Sequence, residues 1–210
     1  MRSCFMMLGL TLTGVLATSA QAANEDPAAR THNLIDAFKN VRKGDEAKPL
    51  AAADRQANVT AFSTLDGFFD YDRITGDAIA PQKANLSADQ LQRYKQMFKE
   101  LIRLVAYPDS GAFLKRAQLN VSPAQAAGQG QTVAMDCKIP ADDIETKVVF
   151  TWTKEADGWR VTDVAFDGSS LIKDYQNQFG RIITKEKATG FIALLEKRLA
   201  KEQKERQAIP

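Results

Sequence analysis

Carboxylates beside aromatic residues are the first feature of the sequence that could perform chemistry. Asp70 and Asp72 lie within the segment LDGFFDYDRI, and Asp163 and Asp167 lie in or directly after a predicted strand. A carboxyl group in an apolar setting can acquire a raised pKa and act as a general base. The other interpretation is structural, with these side chains capping turns or pairing with nearby arginines. Both stay open on the sequence alone.

The sequence contains few of the residue patterns that other kinds of catalysis require. The sequence contains one histidine, His32, on a predicted helix with no evident partner, so a Ser-His-Asp or Cys-His site is not indicated. It has no H-E-x-x-H, C-x-x-C, EF-hand or glycine-rich phosphate motif, so we expect no metal and no cofactor. Cys137 falls on the same strand face as Val133 and Met135, which predicts a small buried apolar side chain.

The first residues indicate export. Arg2 precedes an apolar run from Cys4 to Leu16, and Ala20-Gln21-Ala22 has the A-x-A form of a cleavage site, so residues 1–22 are predicted to be a cleaved secretory signal. The apolar run is too short to span a bilayer core of roughly 30 Å. Residues 23–210 are predicted to form a single domain, without an intramolecular disulfide because one cysteine remains. The net charge of +2 is no footprint of nucleic-acid binding.

Helical periodicity dominates the first half of the remaining chain. Apolar residues at helical spacing predict helices from Pro27 to Val41 and from Asp54 onward, followed by a short helix or turn in the segment 65–74. Ser87 and Gln90 form a capping box, which predicts a helix beginning there and ending near Pro108.

Alternation replaces this period after residue 108. Four strands are predicted around Leu119, Val133–Ile139, Val148–Trp152 and Trp159 onward, with a flexible connection at 122–131 and a hairpin turn at Asp157-Gly158. Two further helices follow, one capped by the segment DGSS and one after residue 190 whose charged end is predicted to fray. The predicted fold class is α+β: a curved antiparallel sheet of about four strands with several helices packed over its concave face, enclosing an apolar cavity.

Several motifs, in this order, resemble the MlaC family of periplasmic phospholipid carriers, also called toluene-tolerance auxiliary proteins. The matching positions are Phe69 to Arg73; Gln90 to Leu101; Trp159, Val161, Asp163 and Val164; Gly168, Ser170 and Leu171; and Tyr175, Gln178 and Phe179. The resemblance extends from about Asp54 to Leu199. The chain departs from the family pattern after Arg73, where no tryptophan follows, and at Gln176, where the family has arginine.

The resemblance implies a soluble periplasmic protein that is not an enzyme. Its implied ligand is a phospholipid, held by its acyl chains in a hydrophobic cavity. Its implied partners are an inner-membrane ABC transporter complex and an outer-membrane lipoprotein complex, which it docks transiently while shuttling lipid and maintaining outer-membrane lipid asymmetry.

The side chains predicted to bind lipid come from two helices and the sheet. They are Phe98, Leu101, Val105, Met135, Phe150, Trp152, Val161, Tyr175 and Phe179. Alternation looks the same in a cavity wall and in a filled core, so ordinary packing stays open for each. Three other functions also stay open: a carrier of a hopanoid or other hydrophobic compound, a small cone-fold enzyme with an Asp base, and a structural partner protein with a filled core.

Overall fold

Five helices and six strands make up the computed structural model, which describes residues 25–44 and 48–207. The helices are α1 Pro27–Lys39, α2 Ala52–Asp66, α3 Tyr71–Ile79, α4 Ala88–Arg116 and α5 Leu171–Arg206. The strands are β1 Gln118–Val121, β2 Gln125–Ala127, β3 Gly130–Ile139, β4 Ile144–Glu155, β5 Gly158–Phe166 and β6 Ser169–Ser170. Short 3₁₀ turns occupy Ala80–Asn85 and Pro140–Asp142. The predicted signal at 1–22 lies outside the described residues.

Helix α4 begins as its sequence predicts and ends later. The Ser87 hydroxyl accepts from the Gln90 amide at 3.2 Å, and the Gln90 side chain accepts from the Ser87 amide at 2.9 Å. The prediction of an end near Pro108 was wrong, because the helix runs through this buried proline to Arg116. Tertiary packing of the last two turns outweighs the hydrogen bond that a proline removes.

Helix α1 packs unusually close to this extended part of α4. A Cβ atom added to Gly111 would lie 2.5 Å from the carbonyl oxygen of Phe38, so only glycine permits this approach. Leu34 and Ile35 of α1 are buried in the core cluster that includes residues of the sheet. Helix α1 therefore joins α4 to one end of the sheet.

The sheet is antiparallel throughout, with the order β1-β3-β4-β5-β6, and β2 pairs with β3 beyond the end of β1. The segment predicted to be a flexible connection in fact contains β2 and turns through Gly128, whose φ of 57° is left-handed. At the β4–β5 hairpin, Glu155 pairs with Gly158. The two turn residues are therefore Ala156 and Asp157, one position before the predicted Asp157-Gly158 pair. The α+β class is confirmed, with six strands in place of about four.

The last helix folds back on itself. Lys187 has φ 58° and ψ 174°, values that interrupt α5 within the one helical run. The ring centroids of Phe179 and Phe191 lie 5.2 Å apart, although twelve residues of straight helix would separate them by about 18 Å. Residues 171–186 and 188–206 therefore form a helical hairpin. Two helices were predicted here, and the break falls at Lys187, just before the predicted boundary at Gly190.

Two buried apolar clusters result from this arrangement. One joins α1 and α2 to the sheet, and the other joins α3 and α4 to the α5 hairpin. None of the helices in the described ranges is both long and apolar enough to cross a membrane. The space between the two clusters is the site described next.

Candidate functional site

An apolar cavity of about 560 Å³ lies between the sheet, α4 and the α5 hairpin. The sheet supplies its floor through Met135 of β3, Val148 and Phe150 of β4, and Val164 and Phe166 of β5. These positions recur at every second residue, because alternate side chains of a strand point to the same face. The cavity volume falls within the usual range of ligand sites.

The roof of the cavity consists of the facing sides of α4 and α5. From α4 come Phe98, Leu101, Ile102 and Val105, which recur at three- and four-residue spacing and therefore share one face. From the two halves of the α5 hairpin come Leu171, Ile172, Tyr175, Gln178, Phe179, Ile182, Phe191, Leu194, Leu195 and Arg198. The folding back of α5 thus allows one helical run to line the cavity twice.

Seven of the nine side chains predicted to bind lipid line this cavity: Phe98, Leu101, Val105, Met135, Phe150, Tyr175 and Phe179. Trp152 and Val161 do not. Trp152 is completely buried beneath α1, where its Nε1 donates to the Thr31 hydroxyl at 3.2 Å. The backbone of Val161 bonds to the segment between α2 and α3, with its N–H donating to the Phe68 carbonyl at 2.8 Å. Helix α1 and that segment therefore fill the end of the sheet face where these two residues lie.

Sequence reasoning missed a second group of lining residues. They include the aromatic side chains Phe38, Phe69, Phe113, Phe166 and Phe191, together with Leu194, Leu195 and Arg198. The residues from Phe191 to Arg198 recur at helical spacing, so this signal was present in the last predicted helix. Phe166 lies two residues after Val164 on β5 and continues the alternation of the floor.

Aromatic rings connect the two roof helices. The Tyr175 and Phe98 centroids are 4.7 Å apart in an edge-to-face arrangement, and Phe98 and Phe179 are 5.2 Å apart in the same geometry. Such pairs add about 0.5–1.5 kcal/mol each beyond the burial of area. Burial raises the pKa of the Tyr175 phenol, so this wall residue is neutral at physiological pH.

The polar atoms around Tyr107, another cavity-lining residue of α4, are paired among themselves. Tyr107 lines the cavity, yet its hydroxyl donates to Asp66 Oδ1 at 2.9 Å and lies 2.5 Å from the Tyr71 hydroxyl. Arg103 Nε also donates to Asp66 Oδ1, at 3.1 Å. Burial above all raises the pKa values of both phenols, which remain protonated. This network leaves Tyr107 presenting mainly its ring to the cavity.

The aspartates considered as bases are held in structural hydrogen bonds. Asp163 lines the cavity, but it accepts from the Ser170 hydroxyl at 2.6 Å and from the Ile172 amide at 3.2 Å. Asp70 caps α3 by accepting from the Arg73 amide, and Asp167 accepts from the Lys147 amide. The contacts of Asp167 match the predicted structural role in a turn. Asp70 and Asp163 are also held structurally, but by capping backbone and hydroxyl groups and not by the predicted pairing with an arginine side chain.

Cys137 is not among the residues that line the cavity. Its side chain is buried at 1% exposure among the core residues under β3, as predicted. Burial raises the pKa of its thiol to about 11, which keeps it protonated. No group of His, Cys, Asp or Glu within the described ranges is placed to hold a metal ion.

The mouth of the cavity is marked by lining residues that solvent reaches. Phe166 is 43% exposed and Leu194 is 46% exposed. Gln178 and Arg198 lie on facing halves of the α5 hairpin and are both exposed. An apolar interior therefore meets water through a rim that combines two large apolar side chains with an amide and a guanidinium.

Fold and cavity together define an α+β protein built around an apolar ligand space. The model of the MlaC protein family matches residues 32–197, and the chain belongs to the MlaC family. The solved phospholipid-binding protein from Ralstonia solanacearum, in complex with a phospholipid, is similar in fold with a TM-score of 0.65. The likeness covers 85% of this chain and 99% of that chain at 20% identity. A comparison with curated proteins finds no match.

Proposed function

We propose that this protein is a lipid carrier that binds the acyl chains of a phospholipid in the cavity between the sheet, α4 and α5. The observation that carries the proposal is the cavity itself, about 560 Å³ in volume and lined almost entirely by apolar side chains. The membership of the chain in the MlaC family supports it. The phospholipid bound by the structural neighbour from Ralstonia solanacearum supports the same class of ligand.

The energetics of lipid transfer require such a site. Each buried methylene is worth about 0.8 kcal/mol, so exposing two chains of about 16 carbons would cost about 20 kcal/mol or more. A carrier has to replace the bilayer interior almost completely, and it has to bind no more tightly than release allows. A wall of aliphatic and aromatic groups with Met135 in its floor meets this requirement, because methionine adapts to guests of different shape.

In the cell, the carrier works in the periplasm, delivered by the signal at residues 1–22 and folded as one domain. It shuttles phospholipid between an outer-membrane lipoprotein complex and an inner-membrane ABC transporter complex and so maintains outer-membrane lipid asymmetry. This part of the proposal is supported by the family to which the chain belongs. The seven predicted side chains in the cavity wall are the proposed acyl-chain contacts, and none is assigned a catalytic role.

Native mass spectrometry of protein purified from a bacterial periplasm tests the proposal, followed by denaturing extraction and identification of bound lipid. The expected result is an adduct with the mass of one or two diacyl phospholipids. An adduct with the mass of a hopanoid or another hydrophobic compound would support a carrier role but would show that the ligand is not a phospholipid. A bare protein mass, unchanged after incubation with phospholipid vesicles, would contradict the proposed function.

A further inference from the structure

A cation lies at the mouth of a cavity whose other lining residues are almost all apolar. Arg198 is the one lysine or arginine among the described residues that line it. Its side chain is 58% exposed, and it follows the exposed Leu194 by four residues, one turn along the same helix face. Its charge also reaches Tyr175: burial raises the pKa of this wall phenol, and Arg198 counteracts part of the rise. Arg198 is therefore beside both water and the cavity.

The Arg198 guanidinium forms an ion pair with a buried carboxylate that does not line the cavity. Arg198 Nε lies 2.6 Å from Glu202 Oε1, and Arg206 Nε lies 2.5 Å from the second oxygen of the same Glu202, which is 4% exposed. Arg206 continues to Asp109 at 3.1 Å, and Lys43 completes the chain at 2.7 Å from Asp109. The ion pair with Glu202 orients the Arg198 side chain, and Glu202 itself does not line the cavity.

The charges in this series of ion pairs do not cancel. The series contains three cations, Lys43, Arg206 and Arg198, and two anions, Asp109 and Glu202. These five side chains therefore carry one net positive charge. The exposed end of the series at the mouth is Arg198. A guanidinium has five N–H donors, so pairing with one carboxylate leaves donors for a second anion. Planar guanidinium groups suit the oxygens of a phosphate.

From this geometry we propose that Arg198 binds the phosphate of a lipid whose acyl chains fill the cavity, and so makes the protein prefer phosphate-bearing over neutral lipids. The inference rests on the proposed function, since the acyl chains place the headgroup at the mouth. Gln178, on the facing half of the hairpin, offers an amide donor to the same group.

The test is a competition between two lipids with identical palmitoyl and oleoyl chains, phosphatidylglycerol and diacylglycerol. Both are offered in equal amounts, in non-ionic detergent micelles, to the full protein stripped of lipid, and the bound ratio is measured by extraction and mass spectrometry. Wild-type protein should favour phosphatidylglycerol. Arg198→Gln should lower that preference by about two- to fivefold, the range for one ion pair at an exposed site. Arg198→Lys should retain part of it.

Lys197→Gln is the matched control, since it removes the same charge one residue away, at an exposed position outside the cavity wall. It should leave the ratio unchanged. Raising the salt concentration should narrow the preference of wild-type protein but not that of Arg198→Gln, because salt screens exposed charge pairs. The salt series on wild-type protein also tests the inference should Arg198→Gln fail to fold.

The outcomes separate the two proposals. If wild-type protein binds neither lipid, the proposed function fails. If wild-type protein binds both lipids with no preference, or if folded Arg198→Gln keeps the wild-type ratio, the role of Arg198 is overturned while the proposed function stands. If Arg198→Gln does not fold, a wild-type preference that salt leaves unchanged overturns it. Displacement of bound phosphatidylglycerol by inorganic phosphate would instead show a free-phosphate site and would also overturn it.

Discussion

The ring of Tyr175 in α5 lies edge-on to the ring of Phe98 in α4, with their centroids 4.7 Å apart. Phe98 also meets Tyr94 and Phe179, at centroid distances of 5.6 and 5.2 Å, and is only 3% exposed. Phe98 is thus both a cavity-lining residue and the centre of the contact between the two roof helices. Stability and cavity shape depend on the same side chain.

Replacing Phe98 by alanine should therefore destabilise the lipid-free protein strongly. The expected loss in free energy of unfolding is about 3–5 kcal/mol, the usual cost of removing a buried phenylalanine. Urea denaturation measures it. Phe166→Ala, a cavity-lining phenylalanine at 43% exposure, is the control and should cost under about 1 kcal/mol. Equal losses in the two variants would show that Phe98 does not join the helices.

A large side chain placed in the roof should exclude the ligand. Val105 lines the cavity on α4, and Val105→Trp would project an indole into the space that the proposed acyl chains occupy. We expect co-purified lipid to fall by about fivefold or more while the protein remains folded, because the added ring fills existing space. Val59→Trp, at a 42% exposed position on α2, should leave the lipid content unchanged. A full lipid load in Val105→Trp would contradict the placement of the ligand.

The close approach of α1 to α4 predicts opposite effects of one substitution at two helical glycines. Gly111→Ala would bring a methyl group to 2.5 Å from the Phe38 carbonyl oxygen and should destabilise the protein by roughly 1–3 kcal/mol. Gly76→Ala, in α3, meets nothing within 4 Å and should stabilise by about 0.4–1 kcal/mol. Thermal denaturation gives both values. If both variants were stabilised, α1 would have to lie further from α4.

The backbone conformation of Lys187 predicts that replacing a lysine by glycine has opposite effects on stability at two nearby positions. Its φ of 58° and ψ of 174° lie in a region that is almost exclusive to glycine, and such strain costs of order 1–3 kcal/mol. Lys187→Gly should raise the free energy of unfolding by about 1 kcal/mol after the greater entropy of unfolded glycine is subtracted. Lys185→Gly, two residues earlier in regular helix, should lower it by about 1 kcal/mol. A loss in both variants would place Lys187 in ordinary helix.

The ion pairs of Glu202 with Arg198 and Arg206 predict that the stability of the protein depends on pH. Burial would raise the pKa of Glu202, but hydrogen bonds and charges from Arg206 and Arg198 outweigh it and lower the pKa below its ordinary value of 4.5. Because the folded pKa is the lower one, ionised Glu202 stabilises the fold above about pH 4.5, and this contribution is lost as the pH falls through the folded pKa.

Glu202→Gln should accordingly destabilise the protein at pH 7 by roughly 1–3 kcal/mol, the range for hydrogen bonds to charged groups. Its difference from wild type should shrink as the pH falls below about 4.5. Thermal denaturation at a series of pH values measures this. Glu205→Gln, which removes an exposed pair with Lys201, should cost less than about 0.5 kcal/mol at every pH. A difference for Glu202→Gln that does not change with pH would contradict the assignment.

Local signals predicted the ends and faces of several elements well. The capping box at Ser87 and Gln90 placed the start of α4, because both hydrogen bonds depend only on residues three apart. The end of α4 was wrongly predicted at Pro108 because that prediction also used only local information. A proline locally favours helix termination, whereas the burial of Gly111 and Leu114 against distant segments sustains the helix. No local pattern carries that information.

The cavity itself could be predicted only in part. Met135 and Trp152 are both buried on strands with clean alternation, yet Met135 lines the cavity and Trp152 packs against Thr31 of α1. The difference depends on which helix covers each end of the sheet. The pairing of Arg198 with Glu202 was readable as an i, i+4 pattern, but its position at the mouth depends on the fold-back at Lys187.

The fold-back at Lys187 predicts an order in which contacts form during folding. The two halves of α5 meet across a short loop, so joining Phe179 to Phe191 costs little chain entropy. Docking the hairpin on α4 is a far longer closure, since Arg93 and Glu196 are 103 residues apart. The chain entropy of such a long closure makes this contact slower to form than the local one. The α5 hairpin is therefore a unit that can form from local contacts, and the cavity becomes enclosed only when this hairpin docks on α4.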